Sequence, residues 1–153
     1  VHDGAIVQAR ERQGWDGAVV FASDGVNIMQ TENGHLLTRE FLKQTAARKQ
    51  SLIQVHLLVH NRVPVHFAAQ PALPRRALAL AANGSPAIIE SVDAVDLTTF
   101  AADLATLGTR DAANLDMGTW SEGWYRDPTT GTPVTIGIPN PATARQSNWI
   151  VLE

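Results

Sequence analysis

The chain has 153 residues, enough for one domain with an ordinary hydrophobic core. Apolar residues make up 44% and charged residues 18%, and the formal net charge is −3, so the composition is globular and gives no reason to expect nucleic acid or an anionic membrane as a partner. No apolar run approaches the roughly 20 residues that span a bilayer, and the lack of cysteine excludes disulfides and thiolate metal sites.

The first half of the chain predicts short strands around one helix. Asp24-Gly25 is typical of a hairpin turn, and Thr38 is typical of a helix N-cap. The predicted elements, in chain order, are a strand at 17–22, a strand at 26–29, a helix over 38–50, one strongly apolar strand at 51–59, and a strand at 63–67.

The second half predicts a unit of hairpin, helix and strand. Asn83-Gly84 is a strong hairpin signal, and Gly108 stands where a helix-ending glycine is expected. The predicted elements are strands at 76–81 and 86–92, a helix from 96 or 97 to 107, and strands at 112–116, 134–138 and 148–152. We therefore predict an α+β fold, a mixed β-sheet with two main helices packed on it, in a single domain over 1–153.

The segment 112–127 is the most informative part of the chain. An apolar run ends at Asp116, and the following residues carry two of the four tryptophans and the only tyrosine. A buried strand would fix the acid rigidly, and an aromatic, charged loop after it would supply shape and contacts. This pattern predicts a ligand-binding or catalytic site around Asp116.

Residues 74–126 resemble the phosphodiester glycosidase family, the bacterial relatives of the lysosomal enzyme that removes N-acetylglucosamine from a mannose-6-phosphate diester. The resemblance rests on Arg-Arg-Ala-Leu-Ala-Leu at 75–80, Asn83-Gly84, a helix closing on Leu107-Gly108, and Ala-Ala-Asn-Leu-Asp at 112–116. The family typically has Ala-x-Asn-Leu-Asp-Gly-Gly there, and its closing strand resembles 145–149. The resemblance implies a hydrolase of a sugar-1-phosphodiester or related glycosidic bond, located outside the cell or in the periplasm.

Two departures from the family qualify this expectation. Met117 stands where the family has its first glycine, and the bulky residues 119–122 replace a run of small ones, which leaves the sugar open. An asparagine- and glycine-rich segment that the family has earlier is not found before Gly17. We therefore expect the chain to be the C-terminal part of a larger domain, completed by a second polypeptide segment or by another copy.

Cleaving such a diester requires a phosphate-binding group and an acid or base at the anomeric carbon. Either Arg76 or Arg75 could bind phosphate through its planar fork, and only one of them points at the site because neighbours on a strand face opposite ways. The resemblance to the family implies that this residue is Arg76. Asp116 is the predicted acid, and Glu122 is a second catalytic carboxylate. The alternatives are a solvated Arg76 and an Asp116 that caps a turn. The cofactor is left open; a divalent cation bound by Asp116 is one alternative.

The substrate-binding prediction covers the segment after Asp116. The flat apolar faces of Trp120, Trp124 and Tyr125 suit packing against sugar rings. The other predicted substrate contacts are Gly118, Ser121 and Arg126. Aromatic side chains that simply belong to the core, and an Arg126–Asp127 ion pair of structural role only, are the alternatives.

Three histidines allow a further hypothesis. His56 and His60 are four apart along a predicted strand, and His66 returns on the next one, so a three-histidine zinc site is conceivable. The spacing is not specific and fits a half-buried strand with solvated outer positions, so we expect no metal there. Two further hypotheses stand beside the hydrolase: a non-catalytic carbohydrate-binding or cell-envelope module, and a structural half-domain with unpaired strand edges.

Overall fold

A computed structural model describes residues 1–7, 13–115 and 122–145. The chain divides into two compact units, Val1–Asp116 and Met117–Glu153. The described residues form two helices and ten strands, which confirms the α+β class. The first unit contains β1 Gly17–Ala22, β2 Gly25–Gln30, α1 Arg39–Ala47, β3 Ser51–Val55, β4 Leu57–His60, β5 Val63–Pro64, β6 Arg76–Leu80, β7 Pro86–Glu90, α2 Leu97–Thr106 and β8 Asp111–Leu115; the second contains β9 Gly123–Arg126, β10 Pro133–Ile136 and a 3-10 turn at Thr143–Arg145.

The strands of the first unit form two antiparallel sheets, where we expected one mixed sheet. One has three strands in the order β2-β1-β3, and the other has five in the order β5-β4-β8-β6-β7. Two of the turns between neighbouring strands carry the backbone conformation that tight hairpins need: Gly84 has φ +86° at the β6–β7 turn, and Asn61 and Arg62 have φ +49° and +67° at the β4–β5 turn.

The two sheets and two helices stack as four layers. Leu42 of α1 packs with Ala18 and Leu52 on the outer face of the three-stranded sheet. The inner face of that sheet, through Val19 and Ile28, packs against the five-stranded sheet in a second cluster. Phe100 and Leu104 of α2 cover the other face of the five-stranded sheet. Both faces of β6 are therefore covered, and all five of its residues are buried.

Local signals fix both helices. The hydroxyl of Thr38 accepts a hydrogen bond from the Phe41 N–H at 3.1 Å, and the carboxylate of Asp96 accepts one from the Thr99 N–H at 2.9 Å. Gly108, just past the end of α2, has φ +82°, a left-handed conformation that glycine adopts without strain. These observations confirm the predicted caps and the predicted stop.

The predicted strand over 51–59 is two strands that belong to different sheets. The chain leaves β3 at Val55, passes through His56, and enters β4 at Leu57, which pairs with β8. The crossing brings the Leu57 backbone against Gly17, where a Cβ atom would lie 3.0 Å from the Leu57 nitrogen. Glycine at position 17 is therefore what lets the two sheets approach at this point.

The second unit contains an antiparallel hairpin. β9 pairs with β10 from Gly123↔Ile136 to Arg126↔Pro133. The sequence prediction treated 123–126 as loop, and that assignment was wrong, because the pairing with 133–136 gives these residues a ladder that local patterning does not reveal. The last predicted strand, 148–152, lies outside the described residues. No helix in the described part of the chain is long and apolar enough to cross a membrane.

Candidate functional site

Arg76 begins β6, an interior strand of the five-stranded sheet between β8 and β7. Its register partners are Glu90 on β7 and Leu115 on β8, so these three residues form one row across the sheet. The Arg76 side chain is 10% exposed, and its Nε and Nη2 both contact Oε1 of Glu90 in an ion pair. A nearly buried arginine held in this way has a defined position, which excludes the alternative of a solvated charge at the strand start.

Arg75 precedes the strand and has a different role. Its Nε donates to the Val95 carbonyl at 3.0 Å, and its Nη2 donates to the Pro71 carbonyl at 2.6 Å. The Arg75 backbone N–H also donates to the Ser91 hydroxyl at 2.9 Å. These contacts tie the chain before β6 to the loops around α2, so Arg75 stabilises the fold, and Arg76 is the arginine that belongs to the row described above.

Four of the predicted site residues, Asp116, Gly118, Trp120 and Ser121, lie outside the described residues. The strand that leads to Asp116 is described to its last residue, Leu115, which is half-buried. Leu115 lies directly opposite Arg76, so the strand carrying the predicted phosphate ligand and the strand leading to the predicted acid are neighbours in the sheet.

Glu122 lies in the second unit and is held by that unit's own backbone. Its Oε2 accepts a hydrogen bond from the Asn140 N–H at 3.1 Å. This hydrogen bond is the largest cause of a pKa below the ordinary glutamate value, and the Trp124 side chain makes a smaller contribution in the same direction. A carboxylate with a lowered pKa is ionised at neutral pH and suits a base or a ligand of cations better than a proton donor.

The aromatic residues of β9 are both accessible. Trp124 is 55% exposed and Tyr125 is 52% exposed. Because they are neighbours on a strand, their side chains project from opposite faces of the β9–β10 hairpin. The alternative that these two residues are core is therefore excluded, and each face of the hairpin offers one aromatic surface.

Arg126 and Asp127 do not form the ion pair that was the alternative to a substrate-binding Arg126. The Arg126 guanidinium donates to the Gly131 carbonyl at 2.8 Å, while Asp127 accepts from the backbone N–H groups of Thr129 and Thr130 at 2.7 and 3.2 Å. The pKa of Asp127 is lowered by these hydrogen bonds, the one from Thr129 first. Both side chains close the β9–β10 turn, which is a structural role for each of them.

His56 and His60 have separate surroundings. The His56 ring lies 5.2 Å from the Trp15 ring and 6.2 Å from the Phe67 ring, between centroids. His60 Nδ1 lies 3.1 Å from Oδ1 of Asp111. The described residues contain no group of three or more histidine, aspartate or glutamate side chains placed to hold a metal ion. The zinc hypothesis therefore has no support in the described part of the chain.

Sequence reasoning missed two carboxylates with well-defined partners. Glu90 pairs with Arg76, and counting back from the Asn83-Gly84 turn at constant register would have found it. Asp111 is 4% exposed and accepts from His60, the Asn61 N–H and the Arg110 guanidinium, at 3.1, 3.1 and 2.7 Å. Its only local signal was the start of an apolar strand, because its partners His60 and Asn61 come from a distant turn.

No protein-family model matches the chain, and no curated protein matches it significantly.

Proposed function

We propose that the protein is an exported hydrolase that cleaves a sugar-1-phosphodiester or a related glycosidic bond. The observation that carries the proposal is the register of β6 and β8, in which Arg76 lies opposite Leu115, one residue before Asp116 in the chain. A fixed guanidinium beside the strand that leads to a carboxylate is the combination that binding a phosphodiester and assisting departure of its sugar requires.

In the proposed reaction water attacks the anomeric carbon and the bond between that carbon and the phosphate oxygen breaks. The products are a free sugar and a phosphate monoester. Asp116 acts as the general acid or base for the proton transfer that this displacement requires. Arg76 binds the phosphate oxygens. Because Arg76 already pairs with Glu90, a bound diester shares the guanidinium with that carboxylate, and Glu90 sets how strongly Arg76 attracts the anion.

The test is hydrolysis of a sugar-1-phosphodiester that bears an aryl group on the phosphate, with the free sugar and the aryl phosphate separated by chromatography. Asp116→Asn is expected to lower kcat by about 100-fold or more, the usual effect of losing a general acid or base. Arg76→Lys keeps the charge but loses the fork, and is expected to lower kcat/KM by about tenfold or more.

Two matched variants serve as controls, Asp93→Asn and Arg62→Lys, because both residues are exposed in the first unit. Their rates are expected to stay within about twofold of wild type, the usual range for exposed positions. An Asp116→Asn protein that folds and keeps the full rate would contradict the assignment of Asp116.

A second candidate function is a non-catalytic carbohydrate-binding module. The observation that favours it is the pair of exposed aromatic side chains, Trp124 and Tyr125, on the two faces of the β9–β10 hairpin. Binding to a glycan array that is lost in Trp124→Ala and Tyr125→Ala, with no turnover of any diester, would support this function over the hydrolase. Leu107→Ala, which changes another exposed apolar residue, in the first unit, is the control.

A further inference from the structure

A cleft lies on the outer face of the three-stranded sheet, between the end of α1 and the β1–β2 hairpin. α1 is nine residues long and packs on β3, and the cleft occupies the face beside it with a volume of about 370 Å³. Its floor is apolar and formed by Val20, Met29 and Phe41, each of which is half-buried. Small-molecule sites have volumes of about 300–1,000 Å³, so this cleft suits one small ring.

Four polar side chains surround this floor: Asp24, Asn27, Arg48 and Gln50. None of the four side chains has a hydrogen bond or ion pair with another residue in the described ranges 1–7, 13–115 and 122–145. Asp24, Asn27 and Arg48 are exposed and Gln50 is half-buried, so their polar groups are accessible to a ligand in the cleft. An apolar floor with a few polar side chains at its edge is the usual composition of a ligand site.

The chemistry of the four side chains narrows the ligand. Asn27 and Gln50 each offer donors and an acceptor, and Asp24 offers acceptors, which together suit hydroxyl groups that both donate and accept. Arg48 offers a planar fork that matches a carboxylate. The Phe41 ring offers a flat apolar surface of the kind that packs against the C–H face of a sugar. We propose that this cleft binds an acidic monosaccharide unit, a hexuronate, with its carboxylate on Arg48 and its ring on Phe41.

This cleft is separate from the site proposed for diester cleavage. Val20 and Met29 belong to the cluster on the outer face of the three-stranded sheet, whereas Arg76 lies on the five-stranded sheet. The whole three-stranded sheet lies between the two, because its inner face packs on the five-stranded sheet. The uronate proposal therefore does not rest on the hydrolase proposal, and each can fail without the other.

The experiment is titration of the whole chain with sodium glucuronate, followed by calorimetry and by saturation-transfer NMR, with glucose as the uncharged control sugar. Saturable binding of glucuronate is expected, with glucose at least about tenfold weaker because it lacks the group that pairs with Arg48. Arg48→Gln is expected to weaken glucuronate binding by about tenfold or more, and to leave the glucose signal unchanged.

Arg39→Gln is the matched control, because Arg39 is an exposed arginine in the first turn of the same helix and does not line the cleft. It is expected to bind glucuronate within about twofold of wild type. Phe41→Leu tests the ring, and Asp24→Asn, in the exposed hairpin turn, tests the hydroxyl contacts without touching a buried side chain. Both are expected to weaken glucuronate binding by several-fold.

Three results would overturn the proposal: no saturable binding of glucuronate, equal affinity for glucose and glucuronate, or equal affinity in wild type and Arg48→Gln. Binding that Asp116→Asn or Trp124→Ala abolishes, while Arg48→Gln leaves it intact, would overturn it as well, because the uronate would then occupy another site. Retention of glucuronate binding by an Asp116→Asn protein without diester turnover would support the cleft and separate it from the hydrolase proposal.

Discussion

Arg76 and Glu122, both predicted as site residues, are held by two regions of very different construction. Arg76 is nearly buried in a five-stranded sheet that is covered on both faces, and a carboxylate pairs with it. Glu122 precedes a two-stranded hairpin whose two aromatic side chains are more than half exposed, and its carboxylate accepts from one backbone N–H at 3.1 Å. The first region holds a charge in a fixed position, and substitutions there are expected to destabilise the fold. The second region has accessible side chains, and substitutions there are expected to have little effect on folding.

The largest expected effect is a difference in how much a substitution in each region lowers the free energy of unfolding. Leu78 is fully buried in the middle of β6, and Leu78→Ala is expected to lower the free energy of unfolding by about 3 kcal/mol, because it leaves a cavity between the two sheets. Trp124→Ala, at an exposed position, is expected to change it by less than about 1 kcal/mol. Urea denaturation measures both, and equal losses in the two variants would contradict the contrast.

The Arg76–Glu90 ion pair is expected to have the next largest effect on stability. Glu90→Gln leaves the nearly buried Arg76 guanidinium without its carboxylate, and is expected to lower the free energy of unfolding by about 2 kcal/mol. Asp93→Asn removes a nearby exposed carboxylate and serves as the control. An unchanged urea midpoint in Glu90→Gln would mean that the pair contributes nothing to the fold.

A smaller effect concerns a helix of the first region. Thr38→Ala removes the hydroxyl that accepts from the Phe41 N–H, and is expected to lower the free energy of unfolding by about 1 kcal/mol. Thr38→Ser keeps that hydroxyl and is expected to restore most of the loss. If serine and alanine were equivalent in thermal denaturation, the cap would have no energetic role.

The smallest expected effect is the pH dependence of the stability that Glu122 contributes in the second region. The pKa of Glu122 is lowered in the folded protein, chiefly by the Asn140 N–H, so the unfolded chain binds more protons between the two pKa values. The contribution of Glu122 to stability is therefore complete above the ordinary pKa of glutamate, about 4.3, and is lost as pH falls through the lower folded value. The Asn140 amide shift in NMR should titrate below the ordinary glutamate pKa, and Glu122→Gln should abolish that titration. A midpoint at or above the ordinary value would contradict the assignment.

The elements that local signals specify could be predicted from the sequence. Thr38, Asp96 and Gly108 define helix ends through hydrogen bonds and backbone conformation within a few residues, and Asn83-Gly84 defines a hairpin in the same way. The elements that depend on distant partners could not be predicted. The apolar pattern of 51–59 is continuous, and only the arrangement of two sheets divides it at His56.

The candidate site shows the same division. The position of Arg76 on β6 follows from the hairpin register. The same register could have predicted that Glu90 lies opposite Arg76. β9 is a strand because it pairs with β10 across a turn that Asp127 closes. The local sequence does not reveal this pairing, so two adjacent aromatic residues after a glycine predict a loop. The cleft around Arg48 brings together residues of α1 and the first hairpin, and no spacing in the sequence indicates that they meet.

We propose that the region around Arg76 and the end of β8 binds the substrate and cleaves the bond between a sugar and a phosphate. Hydrolysis of the aryl sugar-1-phosphodiester in water enriched in oxygen-18, followed by phosphorus NMR of the phosphate product, tests it most directly. The phosphate is expected to retain its original oxygens, since water attacks the anomeric carbon. Oxygen-18 in the phosphate, or the absence of any turnover by the wild-type protein, would contradict the claim.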